Sequence, residues 1–299
     1  MKTRFYFLFI FYTLLLLFYP GDSDFFHLFA YNRELFNKPK LEKNISTEFP
    51  YVVDPYPPTL TSEGAYIVDL ETFTPVYARN AKYHFLPAST AKIITALVAY
   101  DIYKTDQILT IDSPLLEGQL MELVPGERIT VENLLYGTLV HSGNDAAYAL
   151  ADSYGLEKFV ELMNKKAQDL QMTDSRFSNP AGLDHSNQYT TAFDLALAGR
   201  ELLKNPYLAK IVSTKEIIIS DVDFKNFHTL TNVNKLLGEI QGIGGLKTGY
   251  TEDAGENLVS LYKRRDGHEF ILVILKSLDR FQDTTNAVEW INANVSYTR

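Results

Sequence analysis

Three strand-like stretches, Gly245–Thr251, Asn257–Tyr262 and Glu269–Leu275, follow one another with no helical pattern between them. Strands joined by such short connections pair antiparallel, because a parallel pair needs a long crossover. Upstream, Ala65–Asp69 and Pro75–Ala78 flank Glu71-Thr-Phe-Thr74 and read as a hairpin. Helical patterns lie between these two groups. One runs from Ser89 to about Lys104, with Ile93, Ile94, Leu97 and Val98 on one side. Others cover Thr130 (as cap) to Val140, Asn144–Ser153, Leu156–Leu170 and Thr191–Leu203. Ile217–Ile219 reads as a further strand, and Ala287–Ala293, with Trp290, as a closing helix. Strands, helices, strands and a last helix predict an α+β fold. Its antiparallel sheet draws on both chain ends and is flanked by helices, with an all-helical subdomain inserted between.

The amino terminus is a separate matter. Lys2 and Arg4 precede an apolar run from Phe5 to Tyr19, interrupted by Thr13. Residues 1–20 therefore read as a signal peptide or membrane anchor. The run is short for a spanning helix. Gly21 and Ser23 are a weak match to a cleavage site and no Ala-x-Ala follows, which favours the anchor. The expected orientation leaves the basic end inside and the rest on the extracytoplasmic side of the cell membrane, or in the periplasm. Residues 21–60 mix aromatics, charges and prolines without a period and read as a tether with a mean reach of about 35 Å. Residues 61–299 form the expected globular domain. The chain has 299 residues, a net charge of -9 and no cysteine. The acidic balance and lack of a basic stripe argue against nucleic-acid binding. Thiolate chemistry is excluded, and the six scattered histidines form no HExxH-like pair, so no metal is expected.

Three short motifs carry the chemistry: Ser89-Thr-Ala-Lys92, Ser142-Gly-Asn144 and Lys247-Thr-Gly249. On a helix, Ser89 and Lys92 share a face with Cβ atoms about 5–6 Å apart, so an amine can reach a hydroxyl. To act as a base the lysine must be neutral part of the time, and burial or a second cation such as Lys247 lowers its pKa. Ser142 adds a hydroxyl that could relay a proton to a leaving amine, and Asn144 an amide that could donate to an acyl-side carbonyl. Lys247 and Thr248 offer a cation and a hydroxyl for a carboxylate. Gly249 in a strand points to close approach of another backbone. Taken singly, each motif also reads blandly: a helix cap with a solvated lysine, a linker with Asn144 as N-cap, a surface strand with a bulge. Their order and local contexts together are specific.

From about Glu63 to Ser277 the chain resembles the low-molecular-mass penicillin-binding proteins, specifically the serine-type D-alanyl-D-alanine carboxypeptidases. Beyond the motifs, Pro87–Ala96, Ser142–Ala146, Asn179-Pro-Ala-Gly-Leu-Asp184, Thr190–Ala196 and Gly245–Thr251 followed by Ala254-Gly255 are similar to that family. The resemblance implies the DD-peptidase/β-lactamase-like fold and an acyl-enzyme at Ser89 with Lys92 as base. It also implies an oxyanion hole from the N–H groups of Ser89 and Tyr250, no cofactor, peptidoglycan stem peptides as substrate and β-lactams as inhibitors. Many relatives carry a further β-rich domain and a C-terminal amphipathic anchor. The chain ends at Arg299, so the apolar amino terminus is expected to take the anchor's place. Oligomeric state is not implied. A class A β-lactamase fits less well, since no ExxLN-type segment lies between the second and third motifs and Ser142-Gly-Asn144 is not Ser-Asp-Asn. A DD-endopeptidase would use the same residues on a longer substrate. A non-catalytic module binding cell-wall peptides or β-lactams is the alternative from another class.

Overall fold

The computed structural model describes residues 2–18, 48–54 and 56–298. The chain divides into two units, Met1–Thr47 and Glu48–Arg299. In the first, helix α1 (Lys2–Phe18) exposes aromatic and aliphatic side chains from Phe5 through Leu15. No helix among the described residues is long and apolar enough to cross a membrane. Most of the expected tether lies outside the described residues.

In the second unit, the elements in chain order begin with β1 (Pro50–Val52), β2 (Gly64–Asp69) and β3 (Pro75–Arg79). A 3-10 turn (Ala88–Ala91) leads into α2 (Lys92–Ile102), followed by β4 (Ile108–Thr110) and β5 (Arg128–Thr130). Then come α3 (Val131–Leu139), α4 (Asn144–Asp152), α5 (Leu156–Asp169), α6 (Ala192–Lys204) and α7 (Pro206–Val212). The chain closes with β6 (Glu216–Ser220), β7 (Phe227–Thr231), β8 (Ile243–Thr251), β9 (Gly255–Lys263), β10 (Glu269–Ser277), α8 (Arg280–Asn294) and β11 (Val295–Tyr297).

The central sheet has five strands in the order β3-β2-β10-β9-β8, antiparallel throughout. The amino-terminal hairpin joins the carboxy-terminal meander through β2 and β10, with Val273 opposite Tyr66. Strand β10 explains why the sequence there is a continuous apolar run. Ile271, Val273 and Leu275 face the helical core, while Phe270, Leu272 and Ile274 face Ala287, Val288, Trp290 and Ile291 of α8. Side chains alternate between faces along a strand, and here both faces are dry.

Several element boundaries differ from the sequence expectation. The helix expected at Ser89 starts as the 3-10 turn, and the α-helix proper begins at Lys92. The last helix begins at Arg280 instead of Ala287, because Asp279 caps it by accepting from Phe281 N (3.0 Å) and Gln282 N (2.9 Å). The end of the expected tether belongs to the globular unit. Strand β1 pairs with β11, Trp290 Nε1 donates to Tyr56 O at 2.7 Å, and Asn286 Nδ2 donates to Thr59 O at 2.9 Å. The partner of the expected strand at Ile217–Ile219 is β7, where buried His228 interrupts the apolar alternation.

Candidate active site

The three motifs converge from three elements: the 3-10 turn with α2, the start of α4, and β8. A backbone outlier adjoins each one. Ala88 before Ser89 has φ 46°, Ser142 itself 65°, and Leu246 before Lys247 128°. Non-glycine residues there cost about 1–3 kcal/mol each and persist only where surrounding packing fixes them.

At Ser89 the packing partners are visible. Thr90 Oγ1 donates to Pro87 O (2.6 Å), and Asn257 on β9 donates from Nδ2 to Leu86 O (2.9 Å) and accepts Lys276 N on Oδ1 (2.8 Å). Asn257 thus ties the entry of the turn to the sheet. Strand β8 closes the other side: a Cβ on Gly249 would stand 3.0 Å from Ser89 N and 3.1 Å from Pro87 O. Glycine is what allows that strand and the turn to approach so closely.

Lys92 is completely buried. Its Nζ lies 2.9 Å from Ser89 Oγ, 2.7 Å from Asn144 Oδ1 and 2.7 Å from Ala181 O. The amide of Asn144 is oriented by Nδ2 donating to Glu117 O at 2.9 Å, so its oxygen faces the lysine. Burial, and next the charge of Lys247, push the Lys92 ammonium well below its ordinary pKa, with Asp145 opposing. As an amine, Lys92 keeps two N–H groups. Ala181 O and Asn144 Oδ1 can only accept, so those protons go there and the lone pair falls to Ser89 Oγ–H. The arrangement can take a proton from the serine.

Lys247 is equally enclosed, 2% exposed, and donates to Thr248 O at 3.0 Å. Burial and the neighbouring Arg280 lower its pKa to about 7. Arg280 opens α8 and donates from Nη1 to Gly249 O at 2.7 Å. Two cations beside one strand suit an anionic group. Ser142 is 5% exposed and Thr248 3%, while Tyr250 projects into solvent at 59%.

Asn144 was expected to donate to a substrate carbonyl; in this structure its oxygen holds Lys92 and its nitrogen Glu117 O. Sequence reasoning missed Ala181, Arg280, Asn257 and Glu117. Two of these act through backbone carbonyls, which carry no residue signature. A cation soon after β10 was the available signal for Arg280.

The sequence profile of the D-alanyl-D-alanine carboxypeptidase family of peptidases matches residues 52–278. Among characterised relatives, D-alanyl-D-alanine carboxypeptidase DacF of Bacillus subtilis is 34% identical over 212 residues, covering 68% of this chain and 54% of that protein. The DacD carboxypeptidase of Escherichia coli is 31% identical over 260 residues, 80% of this chain and 65% of its own length. The chain thus spans between about half and two-thirds of the length of these relatives. The crystal structure of a D-alanyl-D-alanine carboxypeptidase from Mycobacterium tuberculosis superposes with a TM-score of 0.75 at 28% identity, over 81% of this chain and 94% of that one.

Proposed function

The chain belongs to the D-alanyl-D-alanine carboxypeptidase family, with its DD-peptidase fold, and from that premise we propose that it removes the terminal D-alanine of peptidoglycan stem peptides through an acyl-enzyme on Ser89. The observation that carries the reading is the buried Lys92, its lone pair directed by two acceptor-only partners to Ser89 Oγ at 2.9 Å.

Ser89 Oγ attacks the carbonyl carbon of the penultimate D-alanine while Lys92 Nζ takes its proton. The N–H groups of Ser89 and Tyr250 receive the developing oxyanion; such preorganised donors are commonly a large part of an enzyme's rate enhancement. Ser142 gives its hydroxyl proton to the departing nitrogen and is reprotonated by Lys92, which returns to the neutral amine as the C–N bond breaks and free D-alanine leaves. Lys247 and Thr248 hold its carboxylate throughout, with Arg280 adding positive potential. Water then attacks the ester, Lys92 again serves as base, and Ser89 is regenerated. β-Lactams place an acyl carbonyl and a carboxylate in the same relation, and acylate Ser89. The chain works on the outer face of the cell membrane, led there by the apolar amino-terminal segment. That segment stays attached; a mature amino terminus near Asp24 in the mass of the exported protein would contradict its retention.

The test is D-alanine release from a diacetyl-Lys-D-Ala-D-Ala tripeptide by the full chain, with Ser89→Ala as control. Release that vanishes in the variant is the expected result. Labelling by penicillin without release would favour an endopeptidase or a binding protein.

A further inference from the structure

We propose that Asn179 is a positioning residue for acyl transfer: its side-chain amide turns the Ala181–Gly182 peptide so that Ala181 O takes one proton of Lys92 and the lone pair is left to Ser89. The proposal rests on the reading of Ser89 and Lys92 given above.

Asn179 Oδ1 accepts three successive backbone N–H groups, from Ala181 (3.2 Å), Gly182 (2.8 Å) and Leu183 (3.0 Å), while Nδ2 donates to Leu183 O (2.8 Å). The C=O of Ala181 and the N–H of Gly182 belong to one peptide plane, and in a trans peptide they point in opposite directions. Drawing the Gly182 N–H inward to Asn179 therefore aims the Ala181 carbonyl outward, onto Lys92 Nζ at 2.7 Å. The preceding plane behaves alike. The Ala181 N–H turns to Asn179, and Pro180 O points to Thr95 Oγ1 of α2 at 2.6 Å. One side chain sets two consecutive planes, and both of their carbonyls land on α2.

The loop has little room to move. Gln188 spans it, accepting Ser178 N (3.1 Å) and donating to Leu183 O (2.9 Å), and Thr251 Oγ1 reaches Asp184 at 2.9 Å. At Gly182, φ is 81°, and a Cβ there would fall 1.8 Å from Ala88 O. The loop thus bears on the residue before Ser89 as well as on Lys92. The charged groups facing Lys92 are Lys247 from β8 and Asp145 from α4, and neither is part of this loop.

The experiment measures acylation of the full chain by a fluorescent penicillin across pH, for wild type, Asn179→Ala, Asn179→Asp and Ser89→Ala, with a thermal melt of each. Asn179→Ala is expected to acylate about 100-fold more slowly, the scale of a misplaced reacting group. Its acid limb should move to lower pH, because a lost carbonyl contact no longer favours the ammonium. Asn179→Asp keeps the acceptor for all three N–H groups, recovers to within about tenfold of wild type, and moves the acid limb to higher pH through its carboxylate. A merely structural role would not pair a downward shift in Asn179→Ala with a rate recovered in Asn179→Asp. Wild-type rates in Asn179→Ala, or an unshifted pH profile in Asn179→Asp, would overturn the proposal. If Asn179→Ala does not melt cooperatively, the Asn179→Asp rate decides: acylation within about tenfold of wild type supports the proposal, and a loss of about 100-fold overturns it. Labelling that persists in Ser89→Ala would instead overturn the nucleophile assignment, whatever Asn179 does.

Discussion

Lys92 and Lys247 are both buried, and both have lowered pKa values, yet their surroundings are built differently. Around Lys92, two acceptors, from α4 and the loop after α5, take the amine's two N–H groups, and the Ser89 hydroxyl in the 3-10 turn faces its lone pair. Around Lys247, the described residues supply one acceptor, Thr248 O, and a second cation, Arg280. A saturated lysine has its lone pair aimed; an under-partnered one has protons to give to an arriving anion. On the proposed reading, the same residue type at the same burial serves as a base in one region and as an anion hold in the other.

The largest break in this comparison is Lys92→Met. Removing a positioned base lowers acylation by about 10²–10⁴-fold, read as the second-order rate with penicillin. Lys247→Met has a smaller and different effect. A charge-assisted hydrogen bond is worth about 1.5–3 kcal/mol, so kcat/KM for the D-Ala-D-Ala peptide falls about 10- to 150-fold, mostly in KM. Equal losses with the two variants, both confined to kcat, would erase the distinction.

Stability sharpens it further. The folded-state pKa of Lys247, about 7, lies below its ordinary value of 10.5, so between those pH values the unfolded chain binds more protons than the folded one. Stability rises with pH through that window, and the burial penalty is fully present below it. Lys247→Met removes the penalty and is expected to raise stability at neutral pH by a few kcal/mol, seen as a higher Tm with a flatter pH dependence from about 7 upward. Asn257→Ala probes the scaffold instead. Leaving the Lys276 N–H without its acceptor costs about 1–3 kcal/mol of stability, measured by denaturant unfolding, with a slower acylation rate because the turn before Ser89 is loosened.

What the sequence made legible follows the same division. The three motifs could be read because each is local in the chain, and the fold brings them together. The antiparallel sheet could be read because β8, β9 and β10 follow directly on one another. The acceptors that distinguish Lys92 from Lys247 were hidden. Ala181 lies 89 positions from Lys92 and contributes only a carbonyl. Glu117 likewise acts through its backbone. Arg280 sits in a polar stretch without apolar period, which also concealed the first turns of α8. Strand β7 was lost for a related reason: His228 is buried where an apolar residue would have marked the strand, held between Glu127 (2.7 Å) and Met121 O (2.8 Å).

The most direct measurement is the pH dependence of kcat/KM for D-alanine release in wild type and Lys247→Met. In wild type a bell is expected, with an acid limb set by Lys92 losing its proton and an alkaline limb near 7 set by Lys247 losing its own. Lys247→Met should lose the alkaline limb and retain an acid limb, moved to higher pH because the charge of Lys247 no longer lowers the Lys92 pKa. An alkaline limb near 7 that persists in the variant would contradict the division of labour between the two lysines.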